Sequence, residues 1–147
     1  MEEKSSSLGK QLINIKMTVF ESKTLINKSV SEVYQFLEDL NNHQVLMPEN
    51  IYNWSSTKDE ARFTIQNMAK LALKVESRVP NQKITIIPAE EAPIALNLQW
   101  DLLEINNQTQ ATLTISAELN MMMKMLASGP LQKLTDFQVN ALQNKLG

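Results

Sequence analysis

The stretch from Ile94 to Leu119 constrains the fold more than any other. In "IALNLQWDLLEI", Ile94, Leu96, Leu98, Trp100 and Leu102 alternate with Asn97, Gln99 and Asp101. In "TQATLTISAEL", Ala111, Leu113, Ile115, Ala117 and Leu119 alternate with Thr112, Thr114, Ser116 and Glu118. Successive side chains of a strand point to opposite faces, so each run has one apolar and one polar face. Between them, Asn106-Asn107 predicts a hairpin turn, because asparagine tolerates positive φ. Strands patterned in this way belong to an antiparallel sheet with one face in water.

The dry face of such a sheet needs a cover. "PLQKLTDFQVNALQNKL" supplies it, with Pro130 suited to the first position of a helix. On a helical wheel Leu131, Leu134, Phe137, Val139, Ala141, Leu142 and Leu146 sweep more than half the circumference. Gln132, Lys133, Asp136, Asn140, Gln143 and Asn144 take the rest. So wide an apolar face fits a helix gripped by a curved sheet.

Upstream, "TVFESKTLIN" reads as a strand. In "KSVSEVYQFLEDLNN", Ser29 and Glu32 have capping-box spacing, and Val30, Val33, Tyr34, Leu37 and Leu40 recur as on a helix of about three turns. Asn41 and Asn42 end it, and Pro48 stops a further short helix. "IYNWSSTK", "ARFTIQNM", "LALKVESRV" and "KITIIP" are four more strands. In the third, Leu71, Leu73, Val75 and Val79 fall on one side and Lys74, Glu76 and Arg78 on the other. Arg62 and Gln66 are expected outside, and the side taken by Trp54 stays open. The fold class is α+β: a curved antiparallel sheet of about seven strands around a long C-terminal helix, with two short helices after the first strand.

Three pieces, "TLINKSVSEVYQFLEDLNN", Pro48 after the second helix, and "LQWDLLEINNQTQATLTISAEL", resemble the helix-grip fold of the START/SRPBCC superfamily. Polyketide cyclases, coenzyme Q-binding proteins and lipid-transfer domains are among its members. The resemblance covers Met17 to Leu146. Many members carry Trp just before that proline, where Leu46 and Met47 stand here. Many carry Gly in the last hairpin turn, where Asn107 and Gln108 stand here. The resemblance implies a cavity between sheet and helix that takes an apolar or amphipathic molecule.

With a cavity implied, alternation assigns its lining to Phe63, Ile65, Leu73, Val75, Leu98, Trp100, Leu113 and Ile115, with Leu134 from the long helix. Tyr34 is a candidate to point its hydroxyl inward. His43, the only histidine, lies near one end of the presumed cavity, as a ligand contact or as a surface or helix-cap imidazole. "LNMMMKMLASGP" holds four of the eight methionines, Met121, Met122, Met123 and Met125. Methionine repacks around varied apolar shapes, so Met122 and Met125 form a pliable rim to the cavity or fill gaps under an irregular connection. Asn120 is a candidate cap for a short helix with Met122 and Met125 inward and Lys124 in water. Either way these methionines are expected to be partly buried.

No catalytic constellation stands out. With no cysteine, one histidine and three glycines, thiolate and histidine-cluster metal sites and a glycine-rich phosphate loop are excluded. Glu38-Asp39 and Glu90-Glu91 read as solvated charges. A lining this apolar favours binding over enolate and proton chemistry. The leading expectation is non-enzymatic binding, transport or sensing of a hydrophobic small molecule such as a lipid, a quinone or a polyketide-like compound, without cofactor or metal. A cyclase or dehydratase would need polar groups such as Tyr34 and His43 to converge inside. A protein-interaction module would have a filled cavity and an exposed apolar patch.

Net charge is −2 and no basic run is long enough to track phosphates, which disfavours nucleic acid as a partner. No stretch of 18 apolar residues offers a membrane span, and "MEEKSSSLGKQLINIK" lacks the apolar core of a signal peptide. A cytoplasmic monomer or weak homodimer is expected, with one domain over 17–147 and a flexible extension over 1–16. Either Met17 is the true start, or Leu12, Ile13 and Ile15 extend the first strand or dock on the surface.

Overall fold

The computed structural model describes residues 17–92 and 94–147. The expectations for residues 1–16 lie outside the described residues. Strands β1 (Met17–Ile26), β2 (Ile51–Ser56), β3 (Glu60–Ile65), β4 (Ala69–Val79), β5 (Lys83–Pro88), β6 (Leu96–Ile105) and β7 (Gln108–Glu118) form one antiparallel sheet. Its order is β1-β7-β6-β5-β4-β3-β2, so β1 crosses to pair with β7 while the others follow as hairpins. Between β1 and β2 lie helix α1 (Val30–Leu37) and a 3₁₀ helix (Leu40–Leu46). Helix α2 (Met121–Leu146) closes the chain and packs on β1 and β7 and against the 3₁₀ helix.

Local chemistry explains the element ends. Ser29 caps α1: its Oγ accepts from the Glu32 amide and donates to Glu32 Oε1, each at 3.2 Å. Helix α1 is eight residues long, shorter than its periodicity predicts, because Asp39 leaves helical geometry and starts the 3₁₀ turn by accepting from Asn41 N at 2.9 Å. Asn106 and Asn107 both have positive φ, 49° and 66°, the backbone of a type I′ hairpin turn between β6 and β7. Asn53, Asn67 and Asn81 also have positive φ, so asparagine does in this chain what glycine usually does at turns.

Two register shifts bend the sheet and reverse which side chains face inward. One lies between Tyr52 and Ser55 in β2, at Asn53, and turns Trp54 inward onto Phe63, with ring centroids 5.3 Å apart and planes 13° from parallel. The other lies between Val75 and Ser77 in β4. It places Arg78, rather than Val79, opposite buried Ile84. This corrects the strict alternation read from the sequence, which put Arg78 outside and Val79 inside. Arg78 Nε donates to Glu38 O at 2.9 Å, Nη2 donates to Lys58 O at 3.0 Å, and Nη1 pairs with Asp59 at 2.8 Å. The guanidinium ties the end of α1 to the β2–β3 turn.

The long helix departs from expectation at its start. It begins at Met121, nine residues before Pro130, with Asn120 Oδ1 accepting from Met123 N at 2.8 Å. Pro130 sits inside it, where Gly129, without a Cβ, eases the crowding that proline imposes on the preceding residue. Its buried stripe is Ala127, Leu131, Leu134, Thr135, Gln138, Val139 and Leu142. Phe137, expected in the apolar sweep, is 45% exposed. Position on the helix decides burial here, and polarity does not.

Candidate ligand-binding site

The concave face of the sheet and α2 enclose a small interior cavity. Leu40, His43 and Met47 wall it from the 3₁₀ segment, and Trp54, Ala61, Phe63 and Leu73 from β2 to β4. Ile86, Leu96 and Leu98 come from β5 and β6, and Leu134 and Gln138 from α2. About 20 Å³ is free to a water-sized body, enough for one water and too little for an organic ligand. Inner side chains close the space.

A second concavity, of about 460 Å³, opens on the surface beside Pro48, Glu49, Asn50, Pro130, Lys133 and Phe137. Leu134 belongs to both walls, so its side chain stands between the outer groove and the interior. A larger depression of about 730 Å³ at Pro88–Ala92 and Ala95 is open and shallow, and shares no residue with the interior cavity.

His43 is 2% exposed, and its Nε2 lies 2.8 Å from Leu37 O. A carbonyl only accepts, so Nε2 carries the proton and Nδ1 is the acceptor of the neutral ring. Burial lowers the pKa of this imidazole, opposed by the Leu37 hydrogen bond and the Asp39 charge. The surface or helix-cap position considered for it is therefore corrected: His43 is on the cap segment in sequence but inside the core in space.

Of the candidates drawn from the sequence, His43, Phe63, Leu73, Leu98 and Leu134 come together around the cavity. Ile65, Trp100, Leu113 and Ile115 are buried in the core without bordering it, and Val75 is half-buried beside the β4 bulge. Tyr34 is buried but does not line the cavity. Its phenol pKa is raised, first by burial and then by Glu38, with Arg78 acting in the opposite sense. Met122 and Met125 are 70% and 81% exposed, which corrects the expectation that they are partly buried. They lie on the solvent side of the first turns of α2, and Met123 is the one that packs on the core.

Seven lining residues escaped the sequence reading: Leu40, Met47, Trp54, Ala61, Ile86, Leu96 and Gln138. Trp54 is hidden by the β2 bulge. Met47 and Ala61 carry no distinctive pattern. Gln138 had a usable signal: it lies four residues after Leu134 and four before Leu142, on the apolar stripe. Both polar atoms of its amide are buried without a partner among the described residues, as is Trp100 Nε1. Among the described residues no group of three or more metal-ligating side chains converges, and no helix is long and apolar enough to cross a membrane.

No protein-family model matches the sequence, and no curated protein matches it. Solved structures do. The Zhui aromatase/cyclase from a Streptomyces species matches with a TM-score of 0.72 at 13% identity, over 89% of this chain and 94% of that one. The chain has the helix-grip fold. TTHA0849 from Thermus thermophilus matches this helix-grip domain with a TM-score of 0.71 at 13% identity, over 88% and 97% of the two chains. A conserved protein from Geobacillus kaustophilus matches with 0.66 at 17%, over 88% and 95%. At such identities the likeness is one of fold, and activity does not travel with it.

Proposed function

We propose that this helix-grip domain binds a hydrophobic small molecule between its sheet and α2 as a non-enzymatic carrier or sensor. The observation that carries the reading is Leu134, a single side chain shared by the wall of an apolar interior and the wall of a surface groove. Displacing it joins the two spaces, and opening of this kind selects a minor conformation that a ligand then stabilises. Known sites of this type are mostly apolar with a few placed polar groups, the character of this lining.

The cyclase alternative has less support. Among the described residues His43 is the one titratable side chain on the cavity wall, and Tyr34 does not meet it there. Acid-base chemistry on a bound polyketide needs a second placed group. A protein-interaction role is favoured by a different observation: the cavity is nearly filled, and Met121, Met122, Met125 and Leu126 are all at least 70% exposed on one end of α2.

Native mass spectrometry of the purified protein, followed by organic extraction, tests the choice. A reproducible mass increment that extraction removes supports the carrier. A clean apo mass, with no uptake of the neutral probe N-phenyl-1-naphthylamine, overturns it in favour of the interaction module.

A further inference from the structure

Gln138 is 1% exposed, and among the described residues neither its Oε1 nor its Nε2 has a hydrogen-bond partner. Buried amides in native proteins are nearly always satisfied, so this one calls for an occupant. Trp100 Nε1 is also unpartnered, but Trp100 does not border the cavity, whereas Gln138 does. Thr135, the neighbouring buried polar residue on α2, satisfies itself by donating to Leu131 O at 2.7 Å. Gln138 is thus the amide that faces the free space.

His43 borders the same space. Its Nε2–H is used by Leu37 O, which leaves Nδ1 as the acceptor of the ring. The wall therefore presents an amide N–H donor, an amide oxygen acceptor and an imidazole acceptor. No Lys or Arg among the described residues lines it. Arg78, the inward-facing arginine of β4, is committed to Glu38 O, Lys58 O and Asp59. An ionised carboxylate or phosphate would be buried here without a countercharge. A ketone or ether only accepts and leaves both acceptors on the wall unmet. A hydroxyl both donates and accepts.

We propose that Gln138 recognises the hydroxyl group of an otherwise apolar, uncharged ligand: Gln138 Nε2 donates to the hydroxyl oxygen, and the hydroxyl gives its one proton to Gln138 Oε1 or to His43 Nδ1. This rests on the small-molecule reading above and specifies its chemistry. The competing occupant is one internal water, for which the space suffices.

Two-dimensional NMR titrations of the full chain with naphthalene, 2-naphthol and 2-naphthoate at neutral pH test it. Burial alone ranks naphthalene first. The proposal ranks 2-naphthol first, by about tenfold over naphthalene, the net worth of one neutral hydrogen bond. 2-Naphthoate ranks last. In the wild type, one glutamine side-chain NH₂ pair shifts with 2-naphthol and not with naphthalene. In Gln138→Leu that pair is missing, and naphthalene binds at least as well as 2-naphthol. Gln138→Met serves the same purpose if the leucine variant does not fold. An unchanged preference for 2-naphthol in the variant, or tightest binding of 2-naphthoate, overturns the role of Gln138 and leaves the cavity reading standing. No binding of any of the three overturns both.

Discussion

Lowering the pH from 6.5 to 5 isolates His43, the only histidine of the chain. The perturbation acts on one proton. Burial lowers the folded-state pKa of the imidazole below its ordinary value of about 6.5, against the raising influence of Leu37 O and Asp39. The unfolded chain then takes up a proton in this window that the folded chain refuses. Stability is full above the unfolded pKa and is lost as the pH falls through the window. One proton bounds the slope at about 1.4 kcal/mol per pH unit, so the loss between pH 6.5 and 5 is at most about 2 kcal/mol. For a domain of this size that corresponds to a fall in Tm of roughly 4–8 °C. Urea unfolding at half-unit pH steps measures it, with His43→Gln as the control, since glutamine offers Leu37 O a donor that does not titrate. The wild type should lose stability across the window and the variant should stay flat relative to it. Parallel curves, or a wild type that gains stability on acidification, would mean that the imidazole keeps its proton inside the fold.

Leu134→Ala removes the side chain between groove and interior. It should cost about 2–5 kcal/mol by urea unfolding, the range for a buried leucine, and speed uptake of N-phenyl-1-naphthylamine in stopped flow; a stability loss with unchanged uptake would place the access route elsewhere. Met121→Lys, Met122→Lys and Met125→Lys together change only exposed positions of α2, so each should shift stability by no more than about 0.5 kcal/mol and leave probe affinity unaltered. A clear loss of affinity would return these methionines to the rim of the site.

Much of the architecture is legible because the signals are local. The alternation of β6 and β7 matches a register in which Trp100 lies opposite Leu113 and Leu98 opposite Ile115. Their turn is legible from Asn106-Asn107, and the start of α1 from Ser29 and Glu32. The misreadings share a cause. Period-2 and period-3.6 patterns assume an uninterrupted element, and a bulge breaks the count. At Asn53 it hides Trp54, and between Val75 and Ser77 it exchanges Arg78 with Val79. At Pro130 the opposite error arises, because a residue suited to a helix start is tolerated here inside one.

The sequence by itself determined the strands, the Asn106-Asn107 hairpin turn, the capped first helix and the need for a covering helix. Each of these follows from backbone geometry and side-chain pattern within a few residues of chain. Only the tertiary structure decided that His43 and Gln138 meet one cavity, that Leu134 borders both it and the outer groove, and that Met122 and Met125 stay in water. Those outcomes depend on the summed side-chain volumes of elements from residue 40 to residue 138. Such volumes become comparable only when the folded sheet brings those elements to within a side chain's length of one another.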